Sequence, residues 1–257
     1  MKVGVFDLQG NQIGEIELPK VFEEPLREDL IKRAFLTIQA NKRQPYGTDI
    51  MAGKRTSAHY HGYRRHRWTM MSREMARMPR LHGKIPLQQM FRARFVPQAV
   101  KGREAHPPKV EKIWEKKMNK KEKQKAVKSA IAATAMKEVV MKRGHKVENL
   151  KELPIVVEDK IQELKKSKEL FEFLKKVGLE KELERIKKKK IKGKKYRKKV
   201  GPLIVVSEDK GISKAAKNLG LDVCLVNNLN AEILAPGAMP GRLTIWSKSA
   251  IEKLEVS

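Results

Sequence analysis

An α/β fold is what this sequence predicts: a single three-layer domain over residues 1–257, with a mostly parallel sheet flanked by helices and a long basic loop inserted in it. Three observations carry that expectation. Continuous apolar runs of strand length alternate with helical patterns, as in βα units whose sheet is covered on both faces. Between two of the helical patterns, residues 41–109 carry sixteen Lys or Arg against three Asp or Glu, a net of +13, with almost no interior apolar periodicity. The formal charge of the 257-residue chain is +28 and it is regional, since five basic and seven acidic residues precede Asn41 while six of each follow Lys199.

Each element has its own signal. Val3 to Phe6 and Ile13 to Ile16 flank Gly10-Asn11, which is hairpin chemistry. From Glu28 to Ala40, residues Leu30, Ile31, Ala34, Phe35 and Ile38 recur at helical spacing. The periodicity stops at Asn41 and resumes from roughly Lys109. It is strongest over Lys120 to Arg143, where Val127, Ile131, Ala135, Met136 and Val139 face a core and Gly144 closes the helix. Pro154 to Val157, Leu203 to Val206 and Val223 to Val226 read as buried strands, with helices at Ser167 to Val177 and Ile212 to Leu219. Leu243 to Trp246 adds a strand and Ser247 to Leu254 a terminal helix.

Several function classes are disfavoured at once. The lone Cys224, in the apolar run Val223 to Val226, excludes an intrachain disulfide and reads as a buried strand residue of a reducing compartment. No apolar run is long enough to span a bilayer, and the opening segment reads as a strand and not a signal peptide, so the cytoplasm is expected and no membrane. No glycine-rich phosphate loop follows any strand. Gly237 and Gly241 lack the Lys and Ser or Thr that would make one, and their segment reads as a tight turn. Glu158-Asp159 and Glu208-Asp209 read as helix starts or caps. No enzyme and no cofactor are expected.

The basic loop is where binding chemistry concentrates. Arg43, Lys54, Arg55, Arg64, Arg65, Arg67 and Arg73 are followed by Arg77, Arg80, Arg92, Arg94, Lys101, Arg103 and Lys109. Arg predominates, and its planar fork grips phosphate and stacks on bases where Lys acts as a point charge. Tyr46, Tyr60, Tyr63 and Trp68 are interleaved with these cations, which suits irregular or unpaired RNA. A segment this long with so few apolar residues needs an outside partner to order it. Five of the six histidines lie between His59 and His106. With no thiolate or carboxylate at finger spacing, they read as packed against ribose and phosphate, and no metal site is predicted. A second run, residues 185–199, carries eleven bases and no acid, among them Lys194, Lys195, Arg197 and Lys198, and reads as a shorter RNA-contacting segment.

These residues match a familiar pattern. Val5-Phe6-Asp7-Leu8 with Gly10 opens it, and Gln39 to Gln44 with Tyr46-Gly47 leads into the loop. Ala52-Gly53 with Arg55-Thr56 follows. Arg92, Arg94 and Val96 to Arg103 with Ala105 to Lys109 lead out, and Leu234 to Gly237 with Pro240 to Thr244, including Arg242, completes it. The chain resembles the large-subunit ribosomal protein L4 family in its archaeal and eukaryotic form, over essentially its whole length. The resemblance implies a non-enzymatic structural protein of the large ribosomal subunit, with an α/β body and a loop threading through 23S-type rRNA. It also implies a loop tip near the narrow part of the polypeptide exit tunnel, opposite a loop of the L22-family protein, and contacts with neighbouring large-subunit ribosomal proteins. One departure stands out. Many relatives carry a Gly- and Arg-rich tip of small residues, whereas Tyr60 to Trp68 is bulky here, which leaves open which residues face the tunnel.

Two other classes compete. A free-standing nucleic-acid-binding protein, such as an RNA chaperone or chromatin component, would use the same loop with shallow preference among duplexes. A nucleotide-using enzyme would need a pocket at the strand ends that the sequence does not announce.

Overall fold

The computed structural model describes every residue except 149, 151, 187, 188, 191–195, 198 and 257. It divides into two compact units, one formed by residues 1–42 and 115–257 and the other by residues 43–114.

The first unit is the α/β body. Strands β1 (Lys2–Phe6) and β2 (Gln12–Glu17) form the expected antiparallel hairpin, and helix α1 (Glu28–Asn41) follows. After the second unit come α2 (Lys120–Ala135), α3 (Lys137–Lys142), β3 (Ile155–Val157), α4 (Ser167–Lys176) and α5 (Glu180–Arg185). A two-stranded ribbon pairs β4 (Lys189–Lys190) with β5 (Tyr196–Arg197). Then come β6 (Leu203–Val206), α6 (Ile212–Leu219), β7 (Asp222–Leu225), α7 (Ala231–Leu234), β8 (Thr244–Ser247) and α8 (Lys248–Val256). The main sheet runs in the order β2-β1-β3-β8-β6-β7. All its pairings are parallel except β1 with β2.

The apolar runs lack a polar face because the sheet is covered twice, and period-two alternation sorts each strand between two cores. Ile155, Val157, Ile204, Val206 and Ile245 join Leu170, Phe173, Leu174 and Ile212 in one core. Val156, Leu203, Val205 and Trp246 join Ile31, Ile131 and Ile251 in the other. The Trp246 ring meets Phe22 edge-on, 5.5 Å between centroids. Each fully buried Leu, Ile or Val contributes about 1.5 to 3 kcal/mol of transfer free energy.

Two expectations need correction. Residues 110–118 are not helical: they follow Pro107-Pro108, and Val110 and Ile113 are exposed, so no apolar stripe pays for a helix there. The long helix expected through Arg143 breaks at Met136, whose backbone is extended. Ala130 and Ile131 of α2 pack in the core of Trp246, whereas Val140 of α3 packs in the core of Ile155. One straight helix could not serve both. Gly144 ends α3 with a positive φ of 95°, its N–H donating to the Met141 carbonyl at 2.8 Å.

Candidate nucleic-acid interface

The chain leaves and re-enters the body at one point. The Asn41 side chain accepts from the Lys116 N–H at 2.9 Å and donates to the Lys116 carbonyl at 3.3 Å, closing the two ends like a strand pair.

Within residues 43–114 only one hydrophobic side chain, Met70, is buried. Backbone pairing and stacking hold the unit instead. Arg80 bridges antiparallel to His59 and to Ala93. The Arg80 N–H donates to the His59 carbonyl at 3.2 Å, Leu81 N–H to Arg92 at 3.0 Å, and Arg94 N–H to Pro79 at 3.1 Å. A three-limbed ribbon results. Gly102 is required where the chain turns back on itself after Val96, because a Cβ there would lie 2.0 Å from the Val96 carbonyl oxygen. Near the start, the Tyr46 ring stacks on Trp114 at 5.6 Å, with the Arg43 guanidinium 3.8 Å and the Lys112 ammonium 4.4 Å from the Trp114 centroid. Tyr46, His106, Lys109, Lys112 and Trp114 help line a groove of about 500 Å³. The Trp114 Nε1–H there is buried without a protein partner.

The tip is aromatic and imidazole-rich. Trp68 lies parallel to His82 at 5.6 Å, is tilted against Phe91 at 6.1 Å, and is covered by the Arg67 guanidinium at 4.7 Å. Arg73 covers Phe91 at 4.4 Å. His61 sits among His59, His66 and His82 with centroids 4.2 to 4.6 Å away. Desolvation, then the neighbouring histidines, push the His61 and His82 pKa values down, so both rings are neutral at pH 7.

The sequence-predicted binding residues divide by exposure. Arg43, Tyr46, Lys54, Arg55, His59, Tyr60, Tyr63, Arg64, Arg65 and Arg67 are exposed, as are Arg73, Arg77, Arg92, Lys101, His106 and Lys109. Arg103 and Trp68 are half-buried. Arg80 and Arg94 are half-buried and partly committed, Arg80 donating to the Phe91 carbonyl at 2.8 Å and Arg94 to the Val100 carbonyl. Sequence reasoning missed Lys112 and Trp114, which lie past the boundary set at Lys109. A Trp flanked by Lys after a double proline was the available signal.

This combination of an α/β body and a cation-covered ribbon can be set beside known proteins. The pattern that defines the ribosomal protein L4/L1 family matches residues 16–257. The chain belongs to that family. It is 48% identical to the large ribosomal subunit protein uL4 of Methanosphaera stadtmanae over 262 residues, covering 98% of this chain and 96% of the relative. The same protein of Nanoarchaeum equitans is 48% identical over 268 residues, covering 99% and 97%. That of Methanopyrus kandleri is 45% identical over 264 residues, covering 99% and 98%.

In this L4/L1-family chain the body holds one correction. Arg242, expected to contact RNA, is only 2% exposed. Its guanidinium donates to the Gly201 and Ile233 carbonyls, both at 2.9 Å, and to the Asp222 carboxylate. Burial lowers its pKa, against the pull of Asp222. It ties β7 and α7 to the chain ahead of β6 and offers nothing outward. Arg185, which opens the second basic run, is likewise turned to Glu182 at 2.6 Å and to the Val200 carbonyl at 2.6 Å. Lys194, Lys195 and Lys198 lie outside the described residues, and of Arg197 only the backbone in β5 is described. Of the carboxylates after the strands, the two Asp sit at helix starts, while Glu158 pairs with Lys160 and Glu208 with Lys253. Asp209 accepts from the Gly211 N–H at 3.0 Å before α6, and Asp159 accepts from the Ser249 N–H at 2.9 Å at the start of α8. No helix among the described residues is long and apolar enough to cross a membrane.

Proposed function

We propose that this protein is a structural constituent of the large ribosomal subunit, binding 23S-type rRNA with residues 41–109 as an extended RNA-contacting loop of a single α/β domain. The carrying observation is the inversion within residues 43–114, where one apolar side chain is buried while most of the cations and aromatic rings face outward. Such a surface acts as a counterion with shape: it fills space between rRNA helices whose phosphates repel, and its rings accept unpaired bases. The groove beside Tyr46 and Trp114 offers His106, Lys109 and Lys112 to the sugar-phosphate backbone. Lys194, Lys195, Arg197 and Lys198 form a second, shorter contact. The tip around His59 to Met71 reaches the polypeptide exit tunnel beside the L22-family protein, and the body meets other large-subunit proteins. The chain works in the cytoplasm as part of the ribosome and catalyses nothing.

The names of the relatives support this reading over a free-standing nucleic-acid-binding protein. Replacing Arg64, Arg65 and Arg67 together by Ala lowers the log-log salt slope of binding to a large-subunit rRNA fragment by about two to three units. An unchanged slope excludes those residues as phosphate contacts. Crosslinking mass spectrometry of cell extract should map residues 41–109 to one rRNA region; scattered crosslinks to unrelated nucleic acids would favour the free-standing alternative.

A further inference from the structure

His59, His61 and His82 each present one ring nitrogen to a common point, and the three atoms lie within 4.8 Å of one another. His61 Nε2 and His82 Nε2 are 2.9 Å apart. His59 Nδ1 is 3.0 Å from the Ser57 carbonyl oxygen, so Nδ1–H donates there and Nε2 is the nitrogen left for a ligand. Ligating imidazoles are held in this way, with one nitrogen on the metal and the other fixed by a carbonyl. His66 differs. It stacks on His61 at 4.2 Å, but its Nδ1 accepts the Trp68 N–H, which leaves its proton on Nε2 and makes it a packing neighbour.

We propose that His59, His61 and His82 form a binding site for a divalent transition cation of the zinc class. Imidazoles are intermediate ligands that suit Zn²⁺, and three of them with one open position make a common zinc coordination set. With Zn–N distances of about 2.0 to 2.1 Å, tetrahedral nitrogens sit roughly 3.3 Å apart. The His61 and His82 nitrogens, 2.9 Å apart and joined by a hydrogen bond, need only exchange the shared proton for the metal and part by about 0.4 Å, and the third closes by a small movement of the exposed His59. The site has a physical task. Residues 43–114 bury one hydrophobic side chain, so the tip has no core to hold its limbs together. A metal joining His61 to His82 closes a loop of 21 residues and supplies that link. The nearby Arg64, Arg65 and Arg67 repel a cation, but they are exposed and screened by salt. The inference is independent of rRNA binding.

The test uses the purified full-length protein, stripped with chelator. Zn²⁺ is titrated against a chromophoric competitor, and Co²⁺ is added as a spectroscopic probe. The expected result is one Zn²⁺ per chain and the intense visible absorption of four-coordinate Co²⁺. His61→Gln and His82→Gln each weaken Zn²⁺ binding at least about 100-fold, more than the loss of a supporting contact, while His106→Gln leaves it unchanged. Absence of uptake by the wild-type protein overturns the proposal. So does binding that survives both substitutions, or that falls equally with His106→Gln. Should a variant misfold, the wild-type Co²⁺ spectrum decides alone, since a six-coordinate spectrum rules out the three-histidine site.

Discussion

The body and the basic ribbon of this chain solve the folding problem in opposite ways. In the body, strands of three to six residues contribute side chains to two cores, and large rings such as Trp246 and Phe173 are sealed from water. Apolar transfer offsets the conformational entropy of ordering it. In residues 43–114 Met70 alone is buried, and stacked rings, cation-π contacts and isolated bridges are what hold the limbs. Contacts of that kind are worth about 0.5 to 1.5 kcal/mol each in exposed positions. The difference shows that backbone bridges and stacking can hold a ribbon whose rings and cations stay mostly at its surface, where an apolar core must turn its side chains inward.

That comparison can be broken by experiment. The largest effect is expected at Trp246→Ala, which should remove about 3 to 5 kcal/mol and lower the thermal midpoint by roughly 10 °C. Calorimetry is the measurement, and a change of only a degree or two would show that the body does not rest on its core. Next comes Arg242→Met, which leaves the Gly201 and Ile233 carbonyls without donors. A loss of about 2 kcal/mol in urea unfolding is expected, with the salt slope of RNA binding unaltered. A changed slope with unchanged stability would return Arg242 to the binding surface.

A smaller effect concerns pH. His145 is buried in the body, where its Nδ1–H donates to Glu182 at 2.7 Å. Burial lowers its pKa from the ordinary 6.5, outweighing the opposing pull of Glu182. The unfolded chain therefore takes up this proton more readily than the folded one, so the stability involved is present above about pH 6.5 and is lost as the pH falls below it. Thermal midpoints should drop between pH 7 and 5.5, and His145→Gln should flatten that profile. An unchanged slope in the variant would assign the pH dependence elsewhere. The smallest effect is expected from deleting residues 55–90. Closure entropy varies slowly with loop length, so the midpoint of the body should move by no more than about 2 °C. Loss of a cooperative transition would mean that the ribbon carries part of the core.

Particular residues mark how far the sequence could be read. Leu203 to Val206 and Ile212 to Leu219 were legible because a strand or helix buried against neighbours writes its period into the local sequence. The break at Met136 was not, since the passage of the chain from one core to the other leaves the residue types on both sides equally apolar. Arg242 resembled the ribbon's arginines because charge is the same letter whether it faces phosphate or a buried carbonyl. His82 is not legible as a partner of His61 because they lie twenty-one positions apart and only the ribbon's pairing through Arg80 brings them to 2.9 Å.

By itself, then, the sequence determined what local pattern and composition encode: the alternation of strands and helices, the presence of a cationic stretch between two helices, and its family. Tertiary structure alone decided which cations point outward, which strand face meets which core, and which histidines meet. Those depend on distances between residues far apart in the chain, and no local period records them.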